Sequence, residues 1–154
     1  MAEGYKILVA EDEADIRGLI VYALQYAGFQ VIEAWNGEEA VDKAIAEIPD
    51  LVLLDVRMPR MNGYEACRLL KAQEETRRIP VVFLSARGQE AEIKQGLELG
   101  AEEYILKPFA PDELYRRVEG ILDRHARQGG LRAGRPEPGM PGAGLVSEQG
   151  RNVA

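Results

Sequence analysis

Short apolar runs alternate along this chain with longer stretches in which apolar residues recur every three or four positions. Leu51 to Asp55 reads Leu-Val-Leu-Leu-Asp, an apolar run that ends abruptly on a carboxylate. A run this short and this apolar fits a strand buried on both faces of a parallel sheet, with the acid at its carboxyl end. Lys6 to Ala10 repeats the pattern and runs into Glu11, Asp12 and Glu13. Further strands are predicted over 29–34, 79–84 and 103–106, followed by Ser85 in the second case and Lys107 in the third. Between the strands, Ile16, Leu19, Ile20, Ala23, Leu24 and Ala27 mark one face of an amphipathic helix. Ala40, Val41, Ala44, Ile45 and Ile48 mark a second, Ala66, Leu69 and Leu70 a third, and residues 90–99 a polar-rich fourth. Pro111 opens a fifth, carrying Leu114, Val118, Ile121 and Leu122 to about Ala126.

Strand and helix thus alternate five times, which predicts an α/β fold: a doubly wound parallel sheet with helices on both faces and right-handed crossovers. From residue 127 to 154 the composition turns to Gly and Pro with few apolar side chains, and this stretch reads as a disordered tail behind a single folded domain, 1–126. The net charge of -7, with 26 acids against 19 bases, argues against a nucleic-acid-binding surface and for protein partners. A single cysteine, Cys67, forms no internal disulfide, and no apolar run approaches the roughly 18 residues that span a bilayer. The expected location is the cytoplasm, away from membranes. Cys67 reads as packing, and the sole histidine, His125, as a cation at a helix C-terminus.

In such a sheet the carboxyl ends of the strands share one rim, where ligands of open α/β folds bind. Glu11 and Asp12, Asp55, Ser85 and Lys107 would meet there. Asp55 taken alone has a plainer reading, as the opening of a turn before Pro59. Three clustered carboxylates, however, repel one another unless a cation offsets them, and hard oxygen ligands with room for water suit Mg²⁺. A phosphate oxygen could complete the metal's shell, with Lys107 neutralising a second oxygen and Ser85 donating to a third. Asp55 stands between the acid pair and the lysine, where it could accept the phosphoryl as an aspartyl phosphate.

Four stretches carry a resemblance: Lys-Ile-Leu-Val-Ala-Glu-Asp-Glu, Leu-Val-Leu-Leu-Asp-Val-Arg-Met-Pro-Arg-Met-Asn-Gly, Pro-Val-Val-Phe-Leu-Ser-Ala-Arg and Gly-Ala-Glu-Glu-Tyr-Ile-Leu-Lys-Pro-Phe. Over residues 5–126 the chain resembles the receiver domain of bacterial two-component response regulators. The resemblance implies a flavodoxin-like (βα)5 fold with strand order 2-1-3-4-5. It also implies a switch, not a turnover enzyme, that takes a phosphoryl group from a sensor histidine kinase or phosphotransfer protein. On that likeness Asp55 is the acceptor, Glu11, Asp12, Asp55 and the carbonyl of Arg57 hold Mg²⁺, and Lys107 contacts the phosphate. Ser85 and Tyr104 match the switch positions. Phosphorylation would draw Ser85 inward and let Tyr104 rotate into the vacated space, changing a surface read by a downstream protein or by a second copy of the chain. Tyr104 alone would read as a half-exposed strand aromatic. Ile93 is open between that output surface and the core, since it lies four residues before Leu97.

Glu11 stands where the family often has Asp, a longer side chain that would serve the metal through water. Arg57 and Arg87 flank the expected path of attacking water and would tune the lifetime of the phosphoryl group. Two other functions compete. An aspartate-nucleophile phosphatase would need a second Asp two residues after the first, and Arg57 occupies that place. A binding module with a vestigial pocket would have no use for Asp12, Asp55, Ser85 and Lys107 together. No G-x-x-x-x-G-K-[ST] segment supports a nucleoside triphosphatase.

Overall fold

The structure, a computed structural model, describes residues 4–128. Five strands, β1 (Lys6–Ala10), β2 (Gln30–Ala34), β3 (Leu51–Asp55), β4 (Val81–Ser85) and β5 (Glu103–Leu106), alternate with five helices. These are α1 (Ala14–Tyr26), α2 (Gly37–Glu47), α3 (Gly63–Ala72), α4 (Glu90–Glu98) and α5 (Pro111–Arg127). All strand pairs are parallel and their order is β2-β1-β3-β4-β5, as expected. Alternate residues of each strand face opposite layers. On one side Ile7, Val9, Leu51, Leu53 and Ile105 pack with Ile20 and Leu24 of α1 and Leu114 and Val118 of α5. On the other, Leu8, Val52, Leu54 and Phe83 meet Ala40 and Ala44 of α2 and Ala66, Cys67 and Leu70 of α3. Cys67 is buried packing, and burial raises its thiol pKa.

Boundaries move where the backbone has another partner. Phe29 closes the end of α1 by donating to the Leu24 carbonyl, so β2 begins one residue later than the apolar run. Ile79 completes a turn on the Thr76 carbonyl and Pro80 has no N–H, which delays β4 to Val81 and includes Ser85 in it. Leu19, Ile45 and Leu69, expected on buried faces, are instead exposed. Arg17 takes a buried place on α1. The stretch 129–154 lies outside the described residues, while Arg127 is the last residue of α5. No helix among the described residues is long and apolar enough to cross a membrane.

The helix that follows Asp55 is tied to it directly. Asn62 and Glu65 form a reciprocal capping box at the start of α3. Gly63 donates to the Val56 carbonyl at 2.9 Å, and a Cβ at position 63 would stand 2.4 Å from the Asp55 carbonyl oxygen. Glycine is required there because backbone meets backbone, so α3 begins against the strand that carries Asp55.

Candidate functional site

Hydrogen bonds that run past the ends of the strands hold the rim. Glu11 N–H donates to the Ala34 carbonyl, Val56 N–H to that of Leu84, and Lys107 N–H to that of Ser85, at 2.8 to 3.0 Å. They bring the strand-end side chains together as the sequence predicts. Lys107 Nζ lies 2.9 Å from Glu11 Oε1 and 3.3 Å from Asp55 Oδ1. Glu11 and Asp55 are buried, whereas Asp12 is exposed at the mouth. Ser85 is buried, and its Oγ accepts from Arg87 N–H at 3.0 Å. The Lys107–Pro108 peptide is cis.

Two carboxylates share one ammonium here, and the site's ionisation reflects it. Burial, and then the neighbouring Glu11 charge, outweigh the lysine and push the Asp55 carboxyl up to about 7. Burial draws the Lys107 ammonium down, but the two carboxylates overcome it and leave its pKa raised. Oxygen atoms of Glu11, Asp12 and Asp55 lie within 4.8 Å of one another. This uncompensated negative charge, offered by hard oxygen donors, fits a divalent cation such as Mg²⁺. Glu11 is the most constrained of the three: Oε1 engages Lys107 and Oε2 accepts from Glu13 N–H at 3.2 Å. Its longer side chain therefore reaches the lysine while Asp12 faces the opening.

A cleft of about 590 Å³ opens over the site, lined by Asp12, Arg57, Met58, Ser85 and Arg87 among others. Arg57 is exposed on this wall. The Arg87 guanidinium pairs with Glu92 of α4 at 3.3 Å. A smaller, apolar groove of about 240 Å³ adjoins Lys107 between Ile16 and Leu19 of α1 and Phe109 and Leu114.

The two remaining predicted residues stand away from the carboxylates. Tyr104 is buried in the layer shared by β4, α3 and α4, with its ring beside Phe83 at 6.1 Å between centroids. It is not the half-exposed strand aromatic that its position alone suggests, and it already points inward while Asp55 is unmodified. Ile93 is half-buried against the same core cluster, which places it between core and surface.

Sequence reasoning missed Arg17. Its Nη1 donates to the Glu11 carbonyl at 2.8 Å, its Nε to Glu33 Oε1 at 3.1 Å, and its guanidinium lies 5.0 Å from the Trp35 ring. Lys43 covers the same ring at the same distance. The signal available in the sequence was a charged residue three positions after Ala14, one turn into an otherwise apolar stripe, beside an acid-rich loop.

Comparison with known proteins bears on the family and the fold. A family model described as response regulator receiver domain matches residues 7–119. Phosphate regulon transcriptional regulatory protein PhoB of Klebsiella pneumoniae is 45% identical over 119 residues, covering 77% of this chain and 52% of that protein. Alkaline phosphatase synthesis transcriptional regulatory protein PhoP of Bacillus subtilis is 45% identical over 119 residues, covering 77% and 49%. The chain thus spans about half the length of the curated relatives it matches. Among solved structures, the signal receiver domain of a histidine kinase from Syntrophus aciditrophicus superposes with a TM-score of 0.74 at 33% identity, covering 85% of this chain and 99% of that one. Chemotaxis protein CheY4 of Vibrio cholerae gives 0.73 at 30% identity, covering 76% and 98%.

Proposed function

Since the chain belongs to the response regulator receiver domain family and so serves two-component signalling, we propose that Asp55 is its phospho-acceptor and that Lys107, Ser85 and the Glu11–Asp12 pair serve the transfer. The observation that carries the reading is the Lys107 ammonium between Glu11 and Asp55, 2.9 and 3.3 Å away, with Asp12 and Ser85 of the same rim lining an open cleft. An Asp55 carboxylate oxygen attacks the phosphorus of the donor. The new P–O bond forms as the donor's P–N bond, in a phosphohistidine, breaks and the imidazole keeps the electron pair. Lys107 stands where it offsets charge on the transferred group, and the Ser85 hydroxyl is within the same cleft to donate to it.

Asp12, Asp55 and the Arg57 carbonyl would hold Mg²⁺ in this reading, with Glu11 serving it through water and through its grip on Lys107. Mg²⁺ would supply charge compensation for the incoming phosphoryl. The donor is a sensor histidine kinase or phosphotransfer protein, the setting cytoplasmic, and the domain modifies itself instead of turning over a substrate. Relatives are named transcriptional regulatory proteins. With a net charge of -7, this chain is proposed to signal through protein contacts of the α4–β5–α5 face, to a downstream protein or a second copy, and not through direct contact with nucleic acid.

Incubation with Mg²⁺ and acetyl phosphate, followed by intact-mass measurement, tests the reading. The expected gain is one phosphoryl group, absent without Mg²⁺ and absent in Asp55→Asn. An unmodified wild-type mass would point to a vestigial pocket, and continuous hydrolysis of phosphoesters to a phosphatase.

A further inference from the structure

Tyr64, the second residue of α3, spans the space between the Asp55 strand and α4. Its hydroxyl lies 3.2 Å from the Glu92 carbonyl oxygen and 3.3 Å from the Tyr104 hydroxyl. A phenol has one proton to give. The carbonyl can only accept, so Tyr64 donates to Glu92 and accepts from Tyr104, and the three groups form one chain. Burial, and then the adjoining Tyr104 hydroxyl, raise the Tyr64 phenol above its ordinary value, which keeps the proton in place.

The middle link of this chain and its α4 end differ in how firmly they are held. Tyr64 is fixed, because Gly63 beside it abuts the Asp55 carbonyl and its ring packs edge-on against Phe83 at 5.0 Å between centroids. Helix α4 is not: Gly96 is the only one of its residues that is buried. An element with so little apolar surface in the core opens at low cost. Gly96 also makes the seat for Tyr104, since a Cβ there would stand 2.9 Å from Phe83 Cδ2 and 3.0 Å from Tyr104 Cδ2.

We propose that Tyr64 is a positioning residue of the switch: its hydroxyl holds Tyr104 inward and moors α4 to the strand that carries the phospho-acceptor. The inference deepens the function proposed above and assigns a role to a residue outside the strand-end constellation. Tyr64 also lines the cleft over the site with Ser85 and Arg87. It thus faces the acceptor's surroundings on one side and the output helix on the other.

Tyr64→Phe keeps the ring and removes the hydroxyl. In the unphosphorylated variant, amide exchange over residues 92–98 should rise about three- to tenfold, the factor that one lost hydrogen bond gives. The Tyr104 ring resonance, followed with ring-labelled tyrosine, should shift, and the α4 amide-shift response to Mg²⁺ and acetyl phosphate should shrink. The phosphoryl mass gain should persist. Gly96→Ala should release α4 with the Tyr64 hydroxyl intact, and the double variant should exceed neither single one by much, because both undo the same arrangement. Unchanged exchange and an unchanged Tyr104 resonance in Tyr64→Phe would overturn the proposal, as would effects of the two substitutions that simply add. A wild-type chain that takes up no phosphoryl would defeat the functional reading instead, and the exchange measurement on the unmodified protein would still decide the mooring.

Discussion

The two flanks of Asp55 are built from opposite materials. Around the loops that follow β1 and β5, ionisable groups hold one another: Glu11, Lys107 and Asp55 pack with little exposure to solvent, and Arg17 holds the Glu11 carbonyl. On the β4–α4 flank the ties are neutral or exposed: a serine hydroxyl, a pair of phenols and the Arg87–Glu92 pair at the surface. Removing one member of a buried charged group strands its partner and costs several kcal/mol. Removing a neutral hydrogen bond costs about 1 kcal/mol and shifts populations. The charged flank is therefore suited to chemistry and the neutral flank to signalling.

The sharpest way to break that contrast is Lys107→Ala, which leaves Glu11 and Asp55 facing each other. Metal-free stability should fall by about 3 kcal/mol in urea titrations, and saturating Mg²⁺ should restore much of it by taking over the lysine's electrostatic task. Mg²⁺ binding should survive, whereas phosphorylation should no longer alter amide shifts around Tyr104. Unchanged shifts between wild type and variant on phosphorylation would contradict the assignment of Lys107 as the link.

Titration sharpens the same point. Folded Asp55 keeps its proton to about pH 7, while the ordinary carboxyl value is 3.8. Between those values the folded chain binds the extra proton, so metal-free stability should decline as pH rises through this window, with the full penalty present above it. The expected loss across the window is on the order of 4 kcal/mol, about 1.4 kcal/mol for each unit between 3.8 and about 7, seen as roughly ten degrees or more in Tm. Asp55→Asn should flatten the decline and stabilise the protein at pH 8, and Mg²⁺ should flatten it in the wild type. A stability that instead rises between pH 5 and 7 in the metal-free protein would refute the burial-driven shift.

A milder test uses Trp35, the only tryptophan, half exposed between Arg17 and Lys43. Because Arg17 also holds the Glu11 carbonyl, Mg²⁺ titration should change Trp35 emission, and Arg17→Lys should weaken Mg²⁺ binding severalfold, since a lysine cannot keep both hydrogen bonds of the fork. Identical Mg²⁺ isotherms in the two proteins would detach Arg17 from the site. The smallest effect belongs to the neutral flank's surface: Glu92→Gln should move stability by less than about 0.5 kcal/mol, because its ion pair with Arg87 is largely exposed on the arginine side.

Much of this architecture was readable from the residues alone. A strand buried on both faces must be apolar almost throughout, so β1, β3 and β4 stand out, and the polar residue that ends or directly follows each one is automatically at the rim. What hydropathy cannot register is a charged side chain that buries itself among polar partners. Arg17 breaks the apolar stripe of α1 and yet is nearly covered, while Leu19, which fits the stripe, is exposed. Nor does spacing report that two tyrosines forty residues apart share a proton chain, or that Glu11 spends both its oxygens on Lys107 and Glu13. These contacts arise from how the crossovers stack, which only the assembled sheet determines.

Helix α4 contributes a single glycine to the interior. Ile93, half-buried against the core cluster, and the Glu92 carbonyl that accepts from Tyr64 are its other ties to the body of the domain, and its remaining positions face solvent. Substitutions at those solvent-facing positions leave the core and the strand-end rim untouched, so on the function proposed here the surface a partner reads can change while the residues around Asp55 stay as they are.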